Sequence, residues 1–459
     1  MNRYTVTLFS ALILTLSLSC SSARSDRYQN SFEDKPNALL SGSRESHVSF
    51  EDRTEEVVGH AERLIAKNES EGAVLDQRWY AFRRFGQHQE LILGAAQVVF
   101  YGGLEDQVRR QSENHYTSMV PLEKDHDPGE IRLFIGRRQT QYDFIIIGQN
   151  GREVALKTII RLLYLAKFVD DGIRRRHREK LASFSRSLKV LTSSLSAREE
   201  FLNFFRTHGI KRPDTVIVGF VGNSRALMKD DGIPDAKLFS DESLRVSWYP
   251  DANGMTVLLV SIDGNRIYAS RAGELMEAIL QISGDSPPSM VFLGSAGAID
   301  EPALVGKIVI PTVVLNGDPF PEPRPRGVLV HIIRNRAIDK GRVNTAHASV
   351  ENVVVETTRW TRQMITDRIK TVDQELFHII DAINSSAVGL KVPVYAGILV
   401  TDNVSTDAGK NTEMTLEHAE EMIAKSVDAR RAFLADVLTE IGILKHDKTR
   451  SPRRKAIAY

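Results

Sequence analysis

The sequence predicts an α/β protein: a sheet covered by helices on both faces, preceded by a mostly helical α+β unit. The chain has 459 residues, of which 42% are hydrophobic and 26% charged, an ordinary globular composition. From about residue 213, apolar strand-like runs alternate with amphipathic helical segments. These runs are continuous Val- and Ile-rich stretches, which is typical of strands buried on both faces.

The first twenty residues, MNRYTVTLFSALILTLSLSC, predict an export signal with a lipid attachment site. They combine an early Arg3, an apolar run too short to span a bilayer and small residues before Cys20, the only cysteine. Cys20 stands where a bacterial lipoprotein-type signal peptide places its acylated residue, although Ser17 replaces a commoner aliphatic residue. Cleavage without lipidation, or an uncleaved anchor, stays open. We therefore expect a protein that is lipid-anchored in the bacterial cell envelope and faces the periplasm or exterior.

Between the signal and the α/β half, the sequence predicts a tether and a separate unit. Residues 21 to 53 are polar and rich in Ser, the composition of a flexible linker. Residues 54 to 208 begin with an amphipathic helix in TEEVVGHAERLIAK, continue with the strands EIRLFIGRR and YDFIIIG, and add the helix REVALKTIIRLLYLAKFV. No motif in this unit indicates its role. At the other end of the chain, residues 445 to 459 form a basic tail.

Charge and histidine spacing exclude several classes of partner. With 60 basic and 59 acidic residues the net charge is +1, so no global field favours nucleic acid. Contact with a membrane is expected only through the N-terminal lipid. The 12 histidines lack metal-ligand spacing, so the sequence predicts no metal site and no cofactor.

The half from 213 to 444 contains the strongest strand and helix signals. The predicted strands are TVIVGFVG, MTVLLVSIDG, SMVFLGSAG, KIVIPTVV, GVLVHII, ENVVVET and VYAGILVTD. The predicted helices are IYASRAGELMEAILQIS, VDQELFHIIDAINSS and the segment from 414 to 444. This order indicates a doubly wound sheet, in which ligands bind outside the carboxyl ends of the strands.

Three polar pieces of this half fall where such a sheet binds ligands. The first is a predicted turn of small residues after a buried strand, Gly294, Ser295, Ala296 and Gly297. The second is VDQEL, where Asp373 and Glu375 begin an apolar helix, and the third is LVTDN, where a strand ends at Thr401 and Asp402. Each also has a purely structural explanation: a chain reversal, acids favoured at a helix start, and a polar strand end.

In this order, the motifs resemble the purine nucleoside phosphorylase/uridine phosphorylase superfamily, which includes methylthioadenosine/S-adenosylhomocysteine nucleosidase. The resemblance covers about residues 213 to 444 and runs through VIVGFVGNSRAL, SIDGNRIYASRAGEL, GSAG, LVGKIVIPTVV, VDQEL and LVTDN. It implies a three-layer nucleoside phosphorylase-like domain with a central mixed sheet. It also implies a nucleoside as ligand and a homo-oligomer.

The resemblance implies roles for individual residues, which fit the needs of N-glycosidic cleavage. That reaction develops positive charge on the ribose and negative charge on the departing base. Glu375 matches the family's ribose-binding carboxylate, and Asp402 matches the acid that protonates or hydrogen-bonds the base. Thr401 replaces a commoner Ser, and Asp373 and the small-residue turn would line the substrate. Trp360 would stack on the base or, alternatively, pack the sheet edge.

The second substrate is indicated by what the sequence lacks. Phosphate-using members place an Arg where this chain has Phe292, although Arg225 resembles their other phosphate-binding Arg. Hydrolytic members carry a Glu in the first-strand turn; here Asn223 and Ser224 would orient the water, with Asp263 as a distant base. We therefore expect nucleosidase-like hydrolysis of purine-type nucleosides. Phosphorolysis with phosphate as second substrate, an inactive nucleoside-binding lipoprotein, and an interaction protein that works through its first unit stay open.

Overall fold

The computed structural model describes residues 49–72, 82, 85–103, 105–112, 115–122, 131–241, 243–262, 267–317, 330–337, 342–352, 355–405 and 416–445. From residue 48 onward the chain forms one compact unit that contains two β-sheets. The predicted α/β class is confirmed. The predicted signal with Cys20, most of the predicted tether and residues 446–459 lie outside the described residues.

The first sheet contains six strands in the order β1-β6-β2-β5-β4-β3. They are β1 (Phe50–Asp52), β2 (Val98–Gly102), β3 (Ser118–Pro121), β4 (Arg132–Arg137), β5 (Tyr142–Gly148) and β6 (Leu188–Ser193). The helices are α1 (Thr54–Glu71), α2 (Gln89–Gly94), α3 (Glu105–Ser112), α4 (Arg152–Phe168), α5 (Asp171–Arg176) and α6 (Arg178–Ala182). Strand β2 pairs in parallel with β5 and β6, and the remaining pairs are antiparallel.

Hydrophobic spacing explains the two long helices of this half. Helix α1 buries Val57, Val58, Ala61 and Leu64, which recur every three to four residues and so share one helix face. Helix α4 buries residues around most of its circumference, because it packs against both α1 and the sheet. These two helices and strands β4 and β5 agree with the sequence prediction. Strand β6 was not predicted, because its buried and half-buried residues form no continuous apolar run.

The second sheet contains ten strands, nine of them in the order β13-β12-β14-β15-β11-β7-β10-β9-β8, with β16 joining β11 and β12. Its strands are β7 (Thr215–Gly219), β8 (Lys237–Ser240), β9 (Arg245–Ala252), β10 (Met255–Val260), β11 (Ser289–Ile299), β12 (Ile308–Asn316), β13 (Val330–Ile332), β14 (Val343–Ser349), β15 (Thr371–Asp373) and β16 (Val394–Val404). The helices are α7 (Ala197–Thr207), α8 (Val221–Asp230), α9 (Ser270–Ser283), α10 (Thr358–Thr366), α11 (Leu376–Ser385), α12 (Leu416–Lys425) and α13 (Val427–Ile441).

Helices cover this sheet on both faces, which gives the predicted three layers around a mixed sheet. One buried cluster joins the sheet to α7, α9 and α11, with Phe201, Met276 and Ile379 among its members. A second cluster joins it to α8 and α13 through Met228 and Phe433. Helix α7 lies at the end of the first unit predicted from the sequence, yet it packs into the core of the second sheet.

Strand β11 is the branch point of the second sheet. It pairs with β16 from Met290 to Ile299 on one side. On the other side it pairs first with β7, as far as Leu293, and then with β15 at Gly297 and Ala298. Because β16 also pairs with β12, β12 with β14, and β14 with β15, five strands close into a ring beside the open part of the sheet.

Two local predictions for this half were wrong. The small-residue segment from Gly294 to Gly297 is not a turn, because hydrogen bonding to β16 carries it straight through as strand β11. The described residues of ENVVVET do not form a strand. The strand of that region is instead β14, which lies before this segment and pairs in parallel with β12 and β15.

A third hydrophobic cluster joins the two sheets of the compact unit. It combines Leu64 and Ile160 from the helices of the first half with Val372 and Met364 from the second. Trp360 belongs to the same cluster, is 5% exposed and donates its ring N–H to the carbonyl of Gly317 at 2.8 Å. The position of Trp360 therefore favours packing over base stacking, but in the core between the two sheets rather than at the predicted sheet edge.

Candidate functional site

The candidate site begins at the gap that the branching of β11 leaves between β7 and β15. Gly219, the last residue of β7, has φ of +118°, and a Cβ there would lie 1.9 Å from the carbonyl oxygen of Leu293. Only glycine permits this approach. The N–H of Phe220 then donates to the same carbonyl at 3.0 Å. Strand β7 thus ends against Leu293, and among the described residues no strand pairs with residues 294 to 296 on this side.

A small cavity lies in this gap and brings together two of the predicted pieces. Its volume is about 30 Å³, and it is lined by Gly219, Phe220, Ile262, Leu293, Gly294, Ser295 and Glu375. This is room for about one water molecule. Ser295 is half-buried and Glu375 is 7% exposed, so both polar side chains are held in a mostly apolar wall. The structure thus places Gly294, Ser295 and Glu375 in one cavity, and their contact with substrate stays a prediction.

The turn that carries Glu375 is fixed by the carboxylate of Asp373. Its Oδ1 accepts the backbone N–H of Glu375 at 3.1 Å, and its Oδ2 accepts that of Leu376 at 3.2 Å. These are N–H groups at the start of α11, which have no acceptor within the helix. The carboxylate of Asp373 therefore satisfies two N–H groups at the start of α11 and orients Glu375, which is the N-cap residue.

Buried partners on β14 hold Asp373 in turn. The hydroxyl of Ser349 donates to Asp373 Oδ1 at 2.5 Å and accepts the N–H of Phe377 at 2.9 Å. His347 Nε2 lies 2.9 Å from the same carboxylate oxygen. With these contacts, the described surroundings of Asp373 favour a positioning role. Direct contact of Asp373 with substrate stays a prediction.

Asp402 is brought to the same end of the sheet by an irregularity in β16. Ala296 pairs with Val400 but Gly297 pairs with Asp402, so Thr401 is one extra residue in β16. Such a bulge redirects the following side chain. The carboxylate of Asp402 lies over Gly297, where an added Cβ would be 3.1 Å from Oδ2, and its Oδ1 accepts the hydroxyl of Thr401 at 2.9 Å.

Glu375 and Asp402 therefore approach β11 from its two sides. Asp402 on β16 and Val372 on β15 both pair with Gly297, so their backbones are about 10 Å apart across three adjacent strands. Glu375 follows Val372 by three residues and lines the cavity at Ser295. The arrangement puts two buried carboxyl groups on either side of β11, where its residues Gly294 to Gly297 have little or no side chain.

Glu356 is a further acidic residue of this region that the sequence analysis missed. Desolvation, and secondarily the negative charge of Asp402, raise the pKa of this half-buried residue from 4.5 to about 8. At neutral pH, Glu356 is thus a proton-carrying neighbour of Asp402. The signal available in the sequence was a single acid at the end of the apolar run VVVE, which was interpreted as part of a strand.

Other predicted site residues lie elsewhere or are not described. Arg225 is exposed on α8 and does not line the cavity, and neither does Trp360. Phe292 is fully buried, with its ring against Gly294. Asp263 lies outside the described residues.

The described residues contain neither a metal-binding cluster nor a helix that could span a membrane. Those residues contain no group of three or more His, Cys, Asp or Glu side chains arranged to hold a metal ion. None of the described helices combines the length and the apolar character that crossing a membrane requires.

About half of the chain is similar in fold to solved nucleosidase structures, at low identity. A 5′-methylthioadenosine/S-adenosylhomocysteine nucleosidase from Neisseria meningitidis, in complex with methylthio-immucillin-A, is 15% identical with a TM-score of 0.37; the match covers 50% of this chain and 99% of that one. The apo 5′-methylthioadenosine nucleosidase of Arabidopsis thaliana is 15% identical with a TM-score of 0.38, covering 50% and 97%. The Colwellia psychrerythraea enzyme in complex with adenine is 17% identical with a TM-score of 0.36, covering 51% and 97%.

Comparison at the level of sequence gave no relative. No protein-family model matches the chain. No curated protein matches it either.

Proposed function

We propose that the protein cleaves the N-glycosidic bond of purine-type nucleosides by hydrolysis. The observation that carries this proposal is the pair of buried carboxyl groups, Glu375 and Asp402, on opposite sides of the small-residue stretch of β11. A sugar ring can approach backbone closely where the strand offers only Gly, Ser and Ala. The ribose would lie over this stretch, next to the cavity that holds the water, with the base towards Asp402.

The two carboxyl groups suit opposite charges of the transition state. An ionised Glu375 accepts hydrogen bonds from two ribose hydroxyls and stabilises the positive charge that develops on the ring. Asp402 delivers a proton or a hydrogen bond to the departing base. Glu356 keeps its proton at neutral pH because its pKa is about 8, so it adds no second negative charge near Asp402.

The cavity lining supports water rather than phosphate as the second substrate. None of the seven lining residues among those described is Lys or Arg, so a phosphate would meet no fixed positive charge there. The volume of about 30 Å³ suits a single water. Phosphorolysis remains the alternative, and nucleoside binding without catalysis is the second.

The test is base release from a panel of purine and pyrimidine nucleosides, with and without phosphate. Purine release that does not need phosphate is expected. Glu375→Ala and Asp402→Asn should each lower kcat/KM by about 100-fold or more. Asp381→Asn, which changes an exposed carboxylate on α11, is the matched control and should leave kcat/KM unchanged.

Each outcome selects one alternative. Release that requires phosphate would replace hydrolysis by phosphorolysis. A nucleoside-dependent rise in melting temperature without base release would indicate a binding protein. Neither effect, with a partner protein captured by residues 54 to 208, would favour the interaction-protein hypothesis.

We also propose that the enzyme works in the cell envelope, anchored through a lipid on Cys20. The support is the N-terminal sequence alone: a short apolar run followed by small residues and the only cysteine. Cys20→Ser should abolish incorporation of labelled fatty acid and move the protein from the membrane fraction to the soluble fraction. Membrane association that persists without lipid incorporation would indicate an uncleaved anchor instead.

A further inference from the structure

The turn that carries Glu375 is held by two neighbouring segments of the second half. The carbonyl of Gln374 accepts the N–H of Ala269 at 2.7 Å. The side-chain amide of Gln374 donates to the carbonyl of Glu351 at 3.3 Å. Because Gln374 directly precedes Glu375, the positions of residue 269 and residue 351 set the position of the carboxylate in the cavity.

Both segments are in turn bound by the first turn of α4, which belongs to the other half of the chain. The hydroxyl of Ser270, next to Ala269, donates to the carboxylate of Glu153. Arg152 donates to Oε1 of Glu351 at 2.9 Å. Arg152 and Glu153, which are consecutive residues of α4, therefore bind the two segments that hold Gln374.

Further contacts make these links a small connected network. Arg271, 1% exposed and next to Ser270, donates to the carbonyl of Asn150, just before α4. His60 of α1 lies 3.5 Å from the second oxygen of Glu351. Burial acts to raise the pKa of Glu351, but His60 and Arg152 outweigh it and hold that pKa below 4.5. Glu351 therefore stays ionised, and bound to α4, across the neutral range.

The backbone conformation of Ala269 indicates that the contacts between the two halves constrain the chain at this point. Ala269 adopts φ of +47°, a left-handed conformation that costs an L-residue energy and persists only where the surroundings impose it. The N–H of Ala269 donates to the carbonyl of Gln374, and the hydroxyl of the next residue, Ser270, donates to Glu153. The two halves of the chain therefore impose this conformation together.

We infer that Arg152 and Glu153 are positioning residues for the ribose-binding carboxylate, so that the first half of the chain sets the geometry of the nucleoside site in the second. This inference rests on the proposed function for its effect on turnover, but not for its effect on the Gln374–Glu375 turn. It gives the first half a role for which its own sequence offers no motif. Any ligand or partner that moves the start of α4 would change nucleoside turnover by the same route.

The test compares local stability and kinetics in an Arg152→Ala/Glu153→Ala double variant of the full chain. Hydrogen exchange at the amides of Glu375 and Leu376 should become about tenfold faster, while amides in the middle of α11 keep their protection. In the nucleoside assay, kcat/KM should fall about tenfold. Glu153→Gln keeps an oxygen that accepts the Ser270 hydroxyl, so on its own it should leave both readouts near the wild-type values.

Lys167→Ala is the matched control, because Lys167 lies at the far end of α4 and pairs with Glu69 within the first half. It should change neither readout. Unchanged exchange at Glu375 and Leu376 in a folded double variant would overturn the inference, whether or not the protein is active. Faster exchange in the variant of a protein that cleaves no nucleoside would uphold the inference and overturn the proposed function.

Discussion

His347 and Asp373 form a buried pair beneath the candidate site, with Nε2 of His347 2.9 Å from Oδ1 of Asp373 and neither side chain more than 1% exposed. The same carboxylate accepts two N–H groups at the start of α11 and receives the hydroxyl of Ser349. The acid that precedes Glu375 by two residues thus connects β14 to the turn that carries Glu375.

Asp373→Ala should lower the free energy of unfolding by about 3 kcal/mol, because it leaves buried donors without their acceptor. Urea denaturation measures this change. Asp381→Ala, at an exposed carboxylate of α11, should cost less than about 1 kcal/mol. If Asp373→Ala instead weakened nucleoside binding without loss of stability, Asp373 would be a direct ligand, as the sequence predicted.

Gly219→Ala tests the close approach of β7 to β11. The added Cβ would meet the Leu293 carbonyl and sit on a backbone with φ of +118°, so we expect a loss of about 3 kcal/mol or more. Gly222→Ala is the matched control: nothing lies within 4 Å of its Cβ and it lies within α8, so it should be neutral or stabilise by about 0.5–1 kcal/mol. Equal stability of the two variants would contradict the described end of β7.

Glu356→Gln should change how stability depends on pH. The folded chain keeps a proton on Glu356 up to about pH 8, whereas the unfolded chain releases it near 4.5. The stability contributed by this group is therefore present below pH 4.5 and is lost as the pH rises towards 8, by up to about 1.4 kcal/mol per unit. The glutamine variant should lack this decline. Urea denaturation at pH 5.5 and 8.5 measures it, with the exposed Glu421→Gln as control.

The same substitution should change the pH dependence of turnover. Ionisation of Glu356 above about pH 8 would add a negative charge near Asp402, so wild-type kcat should fall there, and the glutamine variant, which stays neutral, should lack that fall. An identical alkaline limb in the variant would show that the charge of Glu356 does not act on Asp402.

Trp360→Phe separates packing from base stacking. Phe keeps most of the buried ring but leaves the carbonyl of Gly317 without its donor, so we expect a loss of about 1–2 kcal/mol. The nucleoside-induced rise in melting temperature should be unchanged. A smaller rise in the Phe variant would restore the stacking role that the family resemblance implied.

Strands with long apolar runs were predictable because they are buried on both faces and so need no alternation. Strands β7, β10, β11, β12 and β16 follow this rule, whereas β8, β14 and β15 are short or partly polar and were missed. Strand β2 was also missed, although its residues are apolar and buried. The path of β11 through Gly294 to Gly297 depends on pairing with a strand a hundred residues away. Local turn preference could not reveal that pairing.

The candidate site was predictable only in its pieces. Glu375 and Asp402 were recognisable because Glu375 precedes an apolar helix and Asp402 follows an apolar strand, both at predicted element boundaries. Three other features of the site depend on residues that are distant in sequence. They are the bulge at Thr401, the proton on Glu356 and the contacts of α4 with Ser270 and Glu351. None of these has a local sequence signal.

The hydrophobic cluster that joins the two sheets has a practical consequence for how this protein can be handled. The sequence motifs of the candidate site all lie in residues 213 to 444, and expressing that segment as a separate piece would cut through this cluster. That cut would remove Phe201 from beneath the sheet and expose Val372, Met364 and Trp360 to water. The excised piece would expose an apolar face next to the Glu375 turn. The site should therefore be studied in a chain that keeps both halves.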